Sequence, residues 1–193
     1  MTTADPQQLT LPDGSRYDFE RLVATPLKTI EEIFQRGTMP KMTEMAGWEF
    51  QGRNLSFMSI ILRIRRFTKG FLPLPEGALD STVIDGYNIL IKQKGGQDKP
   101  WIPWTRKGVP LKHGFFKVHT APHGDDKYPH AIFFDYAEGV NPWWHPGRTL
   151  KDYTVQVYPD DPTLLVGKAY LALGSLRIFG GHYLMRRNPK WNP

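Results

Sequence analysis

Hydrophobic positions change period along the chain, and that change divides it. Leu27, Ile30, Ile33 and Phe34 fall at spacings of three and four. This predicts a helix over residues 26–36, opened by Pro26 and stopped by Gly37. Thr29 and Glu32 also have capping-box spacing, which leaves the start open by a few residues. A shorter helix is expected over 40–46, ending at Gly47. Upstream, Pro12-Asp13-Gly14 sets a tight turn within a small hairpin over 10–17. Segment 55–67 reads two ways. As a helix capped by Asn54, it aligns Phe57, Ile60, Ile61, Ile64 and Phe67 in one stripe, with Arg63, Arg66 and Lys69 off it. As a strand, Ser56, Met58, Ile60, Leu62 and Ile64 alternate less cleanly, so helix is the better fit.

From Ser81 the period becomes two. Strands are expected over 82–93, 114–120, 130–137, 151–158, 163–173 and 176–187. Their connectors carry turn residues, such as Gly95-Gly96, Asn141-Pro142 and Pro159-Asp160-Asp161-Pro162, and the order predicts an antiparallel meander. Both faces of the last strand bear large side chains: Arg177, Phe179, Tyr183 and Met185 on one, Leu176, Ile178, His182 and Leu184 on the other. Such a strand suits a strongly curved sheet or β-barrel with a helix over part of it, a shape that commonly encloses a cavity. The expected fold class is α+β and β-rich. One domain is expected over 1–193, with 1–8 frayed, 26–67 mainly helical and 81–187 antiparallel β.

Composition narrows the chemistry. Glycine and proline number 18 and 17, and aromatic residues make up 13% of the 193, which favours many short strands over a helical bundle. With no cysteine, disulfides, thiolate nucleophiles and Cys-type zinc sites are excluded. The polar opening residues, the lack of cysteine and the absence of a long apolar run point to a cytoplasmic location. Nucleotide-cradling glycine loops and the Gly-x-Ser-x-Gly elbow are missing. His119, His123 and His130 lie near one turn without ligand spacing, so neither a metal nor a cofactor is expected. The net charge of +6 is modest and no recognition motif accompanies it, which argues against nucleic acid. The basic run Arg63, Arg65, Arg66 and Lys69, and the later Arg186, Arg187 and Lys190, read first as solvated faces. The run at 63–66, on a helix apolar on its other side, also suits peripheral contact with an anionic membrane.

Three constellations remain. Lys168 and Tyr170 share a strand face with Val166 and Ala172, and a cation beside a phenol on an apolar wall anchors a polar ligand end. Asp135-Tyr136 and Asp152-Tyr153 repeat one dipeptide; Asp135 calls for a partner such as Arg148 or Arg177, and an Asp beside a Tyr can also serve as base and donor. Trp143-Trp144, stiffened by Pro142 and Pro146, suits a lid, a plug or a partner surface, with Trp101 and Trp104 in a second aromatic loop.

Gly47-Trp48 resembles the Gly-x-Trp start of lipocalins without its spacer, and the Lys168/Tyr170 spacing is similar to the Arg-x-Tyr pair of fatty-acid-binding proteins, with Lys in place of Arg and on the penultimate strand. The resemblance, to the calycin-like barrels, covers at most residues 47–187. It implies a cavity for a small hydrophobic or amphipathic ligand with one polar end. On that reading Lys168 and Tyr170 anchor the ligand, Tyr136 and His182 line the wall, and Trp143 and Trp144 cover one end. A cofactor-independent isomerase, cyclase or lyase would draw its catalytic groups from Lys168, Tyr170, Asp135, Tyr136 and His182 in the same cavity. A third reading is an interaction module built on the tryptophan loops or the basic segment.

Overall fold

The computed structural model describes residues 9–11, 13–56, 59, 64–79, 83–93, 100–120 and 127–190. Three short helices lead in: α1 (Phe19–Val23), α2 (Leu27–Arg36) and α3 (Met42–Met45). The strands that follow are β1 (Glu49–Asn54), β2 (Arg66–Phe71), β3 (Ile84–Ile89), the two-residue β4 (Thr105–Arg106) and β5 (Val109–Pro110), β6 (Lys112–Thr120), β7 (Ile132–Asp135), β8 (Leu150–Tyr158), β9 (Asp161–Leu173) and β10 (Leu176–Arg187). Eight of them close into an antiparallel barrel in the order β1-β10-β9-β8-β7-β6-β3-β2, while β4 and β5 form a separate small hairpin. Every neighbour in the barrel is next in the meander, and β1 meets β10 from Phe50↔Arg187 to Asn54↔Tyr183 to close it. The β-rich fold expected from the period-two pattern is thus a closed barrel.

The helical stretch expected up to residue 67 is corrected. β1 and β2 both precede residue 81, and Phe67 lies in β2 rather than at a helix end. Strand pairing decides here: Phe67 stands opposite Gly52, whose missing side chain leaves room for its ring, and tertiary packing overrides a local helical period. Phe57, Ile60, Ile61 and Arg63 of the helical reading lie outside the described residues, as does the frayed start over 1–8. The expected helix over 26–36 forms with Pro26 at its N-cap and Gly37 at its C-cap.

Two apolar layers result. Inside the barrel, Phe50, Phe71, Phe116, Phe134, Tyr183 and Met185 pack with the caps Met42 and Met45 of α3. Phe116 stacks on Phe134 at 5.1 Å, and Phe71 meets both edge-on. Outside, α1 and α2 bury Phe19, Leu22, Ile30, Ile33 and Phe34 against Tyr153, Val155, Val166, Tyr170 and Leu184. Glycines make the inner layer possible. The rings of Phe67, Phe116 and Tyr183 occupy the space where a Cβ on Gly52, Gly86 and Gly167 would stand. No helix among the described residues is long and apolar enough to cross a membrane.

Candidate functional site

Strand alternation sends Phe67, Lys69 and Phe71 of β2 inward, and so places a lysine in the barrel interior. Lys69 is 3% exposed. Its Nζ donates to Asp152 Oδ2 at 3.1 Å on β8, to Asn88 Oδ1 at 3.2 Å on β3, and to the Tyr136 hydroxyl just past β7. Tyr136 donates in turn to Asp152 Oδ2 at 3.1 Å, and Asn88 Nδ2 donates to the Gly114 carbonyl at 2.8 Å. Five rings surround the ammonium, from Phe116 at 4.9 Å through Tyr136, Phe134 and Phe67 to Tyr183 at 5.8 Å. Four strands or strand ends therefore converge on one polar knot in an aromatic interior.

Burial pushes the Lys69 amine below its ordinary value, with the Asp152 carboxylate opposing that shift. Burial and the same carboxylate push the Tyr136 hydroxyl well above the usual phenol range, so it acts as a donor. The knot sets one lysine against one carboxylate. A buried ion pair of this kind gives little net stability compared with apolar side chains of the same volume, and its place in an aromatic interior marks it as the candidate site.

The knot lies toward one end of the barrel, which we term the mouth. The β1–β2, β3–β6, β7–β8 and β9–β10 connections surround it, and α3 closes the opposite end. On the mouth side of the knot stand small residues, Ala169 and Gly114; a Cβ on Gly114 would come within 3.0 Å of Asn88 Nδ2. Burial, and then the charges of Lys69 and His145, hold the half-buried His113 imidazole below its ordinary value.

Lys168 and Tyr170, expected to face a cavity, are placed elsewhere. They lie on the outer face of β9, beneath α2, and the inward residues of that strand are Leu165, Gly167 and Ala169. Their shared parity is as read; the face is reversed, because the interior reserves its small positions for rings from neighbouring strands. Under α2, Lys168 donates to Glu31 Oε1 at 2.9 Å and to the Tyr128 hydroxyl at 2.9 Å, and Tyr128 bonds Tyr170 at 2.7 Å. His182 also faces this outer cluster, 2.7 Å from Glu31 Oε2. An extra residue at Gly180 shifts the β10 register between Phe179 and Gly181, which brings Phe179 to the His182 side, at 5.1 Å.

Asp135 and Tyr136 part company. Asp135 pairs with Lys151 on the outer face, the strand position opposite, instead of Arg148 or Arg177, and accepts from the Ala137 amide at 2.7 Å. Tyr136 alone of that dipeptide reaches the interior, where it meets the Asp of the second one. The Trp143-Trp144 loop sits at the mouth, but its indoles are 88% and 66% exposed, so they neither cover nor plug the barrel here. Two basic residues read as solvated are buried: Lys69 in the knot, and Arg66, which donates to the Lys92 carbonyl at 3.1 Å and the Pro100 carbonyl at 3.3 Å. His119 meets Glu138 and His130 meets the Phe34 carbonyl, while His123 lies outside the described residues.

Comparison with known proteins gives no match: no family model, no curated protein and no solved structure is similar enough to lend the chain a family.

Proposed function

We propose that the barrel binds a small amphipathic molecule through its mouth, with the polar end directed at the Lys69–Tyr136–Asp152–Asn88 knot. The observation that carries this reading is the pairing of one lysine with one carboxylate and a phenol within an aromatic interior. A ligand carboxylate would meet Asp152 as well as Lys69, and two anions would share one cation. An uncharged carbonyl or hydroxyl enters instead by exchange for one of the knot's own bonds, taking a donor from Lys69, Asn88 or Tyr136 without adding a charge. The calycin-like arrangement suggested by the sequence belongs to this reading, with the anchor moved from Lys168 and Tyr170 to Lys69 and Tyr136.

Native mass spectrometry of freshly purified protein tests for a co-purified molecule. A medium-chain methyl ketone and alcohol, titrated against the acid of equal length, test the head-group preference. The neutral compounds should bind tighter than the acid, and Asp152→Asn, which leaves Lys69 free to pair with a carboxylate, should erase or reverse that preference. Failure of all three to bind, or an unchanged preference in the variant, overturns the proposal.

A second reading rests on the depressed Lys69 amine. In its neutral form such a lysine can attack an aldehyde or ketone, releasing water and leaving an imine, one route open to a cofactor-independent lyase or isomerase. Incubation with an aldehyde and borohydride would then fix a covalent adduct on Lys69 and leave none in Lys69→Met.

A further inference from the structure

The mouth is apolar and basic at once. Thirteen of the seventeen exposed large apolar side chains among the described residues lie on the four mouth connections or the adjoining strand ends. The β9–β10 hairpin projects past the barrel with Leu171, Leu173, Leu176 and Ile178 on one face, paired Leu171↔Ile178 and Leu173↔Leu176. Beside it, the β7–β8 loop holds Trp143 and Trp144 in water. The base of that loop is fixed: Asn141 accepts from the Phe115 amide at 2.9 Å and donates to the Phe115 and Tyr136 carbonyls at 2.6 and 2.9 Å. The indoles are thus held out from a rigid base, not left exposed by a loose one.

Charge follows the same axis. Among the described residues, the mouth connections carry Arg65, Lys92, Arg106, Lys107 and Arg148 against Glu138 alone. The far end mixes the two signs, with Glu44, Glu76 and Asp160 against Lys41, Lys127, Arg187 and Lys190. Exposed indoles and aliphatics set among cations match an anionic bilayer. Its interface takes amphipathic rings and its headgroups take Lys and Arg.

We propose that the mouth end docks on an anionic lipid surface, with Trp143, Trp144 and the tip of the β9–β10 hairpin entering the interface and Arg106, Lys107 and Arg148 meeting headgroups. This does not depend on what the barrel interior holds. In co-sedimentation, vesicles of phosphatidylcholine and phosphatidylserine at about 7:3 should bind the protein and pure phosphatidylcholine should bind it weakly. Indole fluorescence should shift to the blue on binding, and high salt should reverse it. Trp143→Ala with Trp144→Ala, and separately Arg106→Glu with Lys107→Glu, should each weaken binding roughly tenfold with the melting temperature little changed. Leu79→Ser, 70% exposed at the far end, should leave binding intact.

Absence of vesicle binding, equal binding to neutral vesicles, or full binding by both double variants overturns the proposal. So does sedimentation that shows a self-associated chain, dissolved by the tryptophan variant, with vesicles ignored. Single-stranded oligonucleotide binding that vesicles fail to displace does the same.

Discussion

Two lysines in this barrel have the same kinds of partner and opposite surroundings. Lys69 meets Asp152 and the Tyr136 hydroxyl inside the barrel. Lys168 meets Glu31 and the Tyr128 hydroxyl on the outer wall, under a helix. Asp152 is nearly as buried as its lysine, whereas the Glu31 side chain is 36% exposed. Hydrogen-bond chemistry alone does not separate a site from a clamp; what differs is how the carboxylate is carried. Glu31 rides on α2 and can leave with it, so its cluster fastens a helix to a wall. Asp152 belongs to a strand with neighbours on both sides, so its cluster cannot be relieved without opening the barrel.

The largest expected effect breaks the inner pair. Asp152→Ala strands the Lys69 ammonium among rings and should cost about 3–5 kcal/mol in urea unfolding. Replacing both partners together, Lys69→Met with Asp152→Leu, should recover most of that loss, because an apolar interior then has no charge to solvate. A double variant as unstable as the single would show that the knot holds the barrel together, and would erase the distinction between the two clusters.

A smaller effect tests the space that lets the inner cluster exist. Gly167→Val places carbon where the Tyr183 ring lies, and Tyr183 also holds Thr154 at 2.6 Å. A cost of about 1–3 kcal/mol is expected, with loss of near-ultraviolet tyrosine ellipticity.

The smallest effect is at the outer cluster and is read against pH. Burial raises the Glu31 carboxyl, but bonds from Gln35, Lys168 and His182 outweigh it and bring it to about 2 from an ordinary 4.5. Its contribution is therefore whole above the ordinary value and disappears as pH falls through about 2. Burial holds His182 below its ordinary 6.5 despite Glu31, so acid also works against the fold there. Glu31→Gln should cost about 1 kcal/mol at neutral pH, since the pair is partly solvated. The gap between wild type and variant should narrow below about pH 4. A gap that is constant with pH would show that the carboxylate charge contributes nothing to seating α2.

The barrel was legible because each period-two segment is long and bounded by turn residues; the expected strand over 176–187 and observed β10 share both limits. The early strands were hidden because Phe67 and Ile64 also satisfy a helical spacing, and local sequence carries no information about the partner strand. Choice of face failed for a related reason. A lysine flanked by Val166 and Tyr170 looks more interior than Gly167 and Ala169 do, but in a narrow barrel the small residues mark the inside, where rings from the next strand lie. The alternation Phe67-x-Lys69-x-Phe71 was the available signal for the buried amine, masked by its reading within a basic run. Glu31 and Tyr128 join Lys168 from 137 and 40 residues off, which no spacing announces.

The pairing of β1 with β10 governs when the molecule can exist at all. The last strand supplies Tyr183 and Met185 to the interior and joins a partner laid down more than a hundred residues earlier, as in Phe50↔Arg187. On the ribosome, seven strands must wait as an open sheet with two unpaired edges until β10 emerges from the exit tunnel. Contacts so distant in sequence form slowly, and unpaired edges recruit other strands while they wait. Translation pauses before residue 176, or deletions that shorten β10, should therefore yield insoluble chains at an onset set by β10 itself.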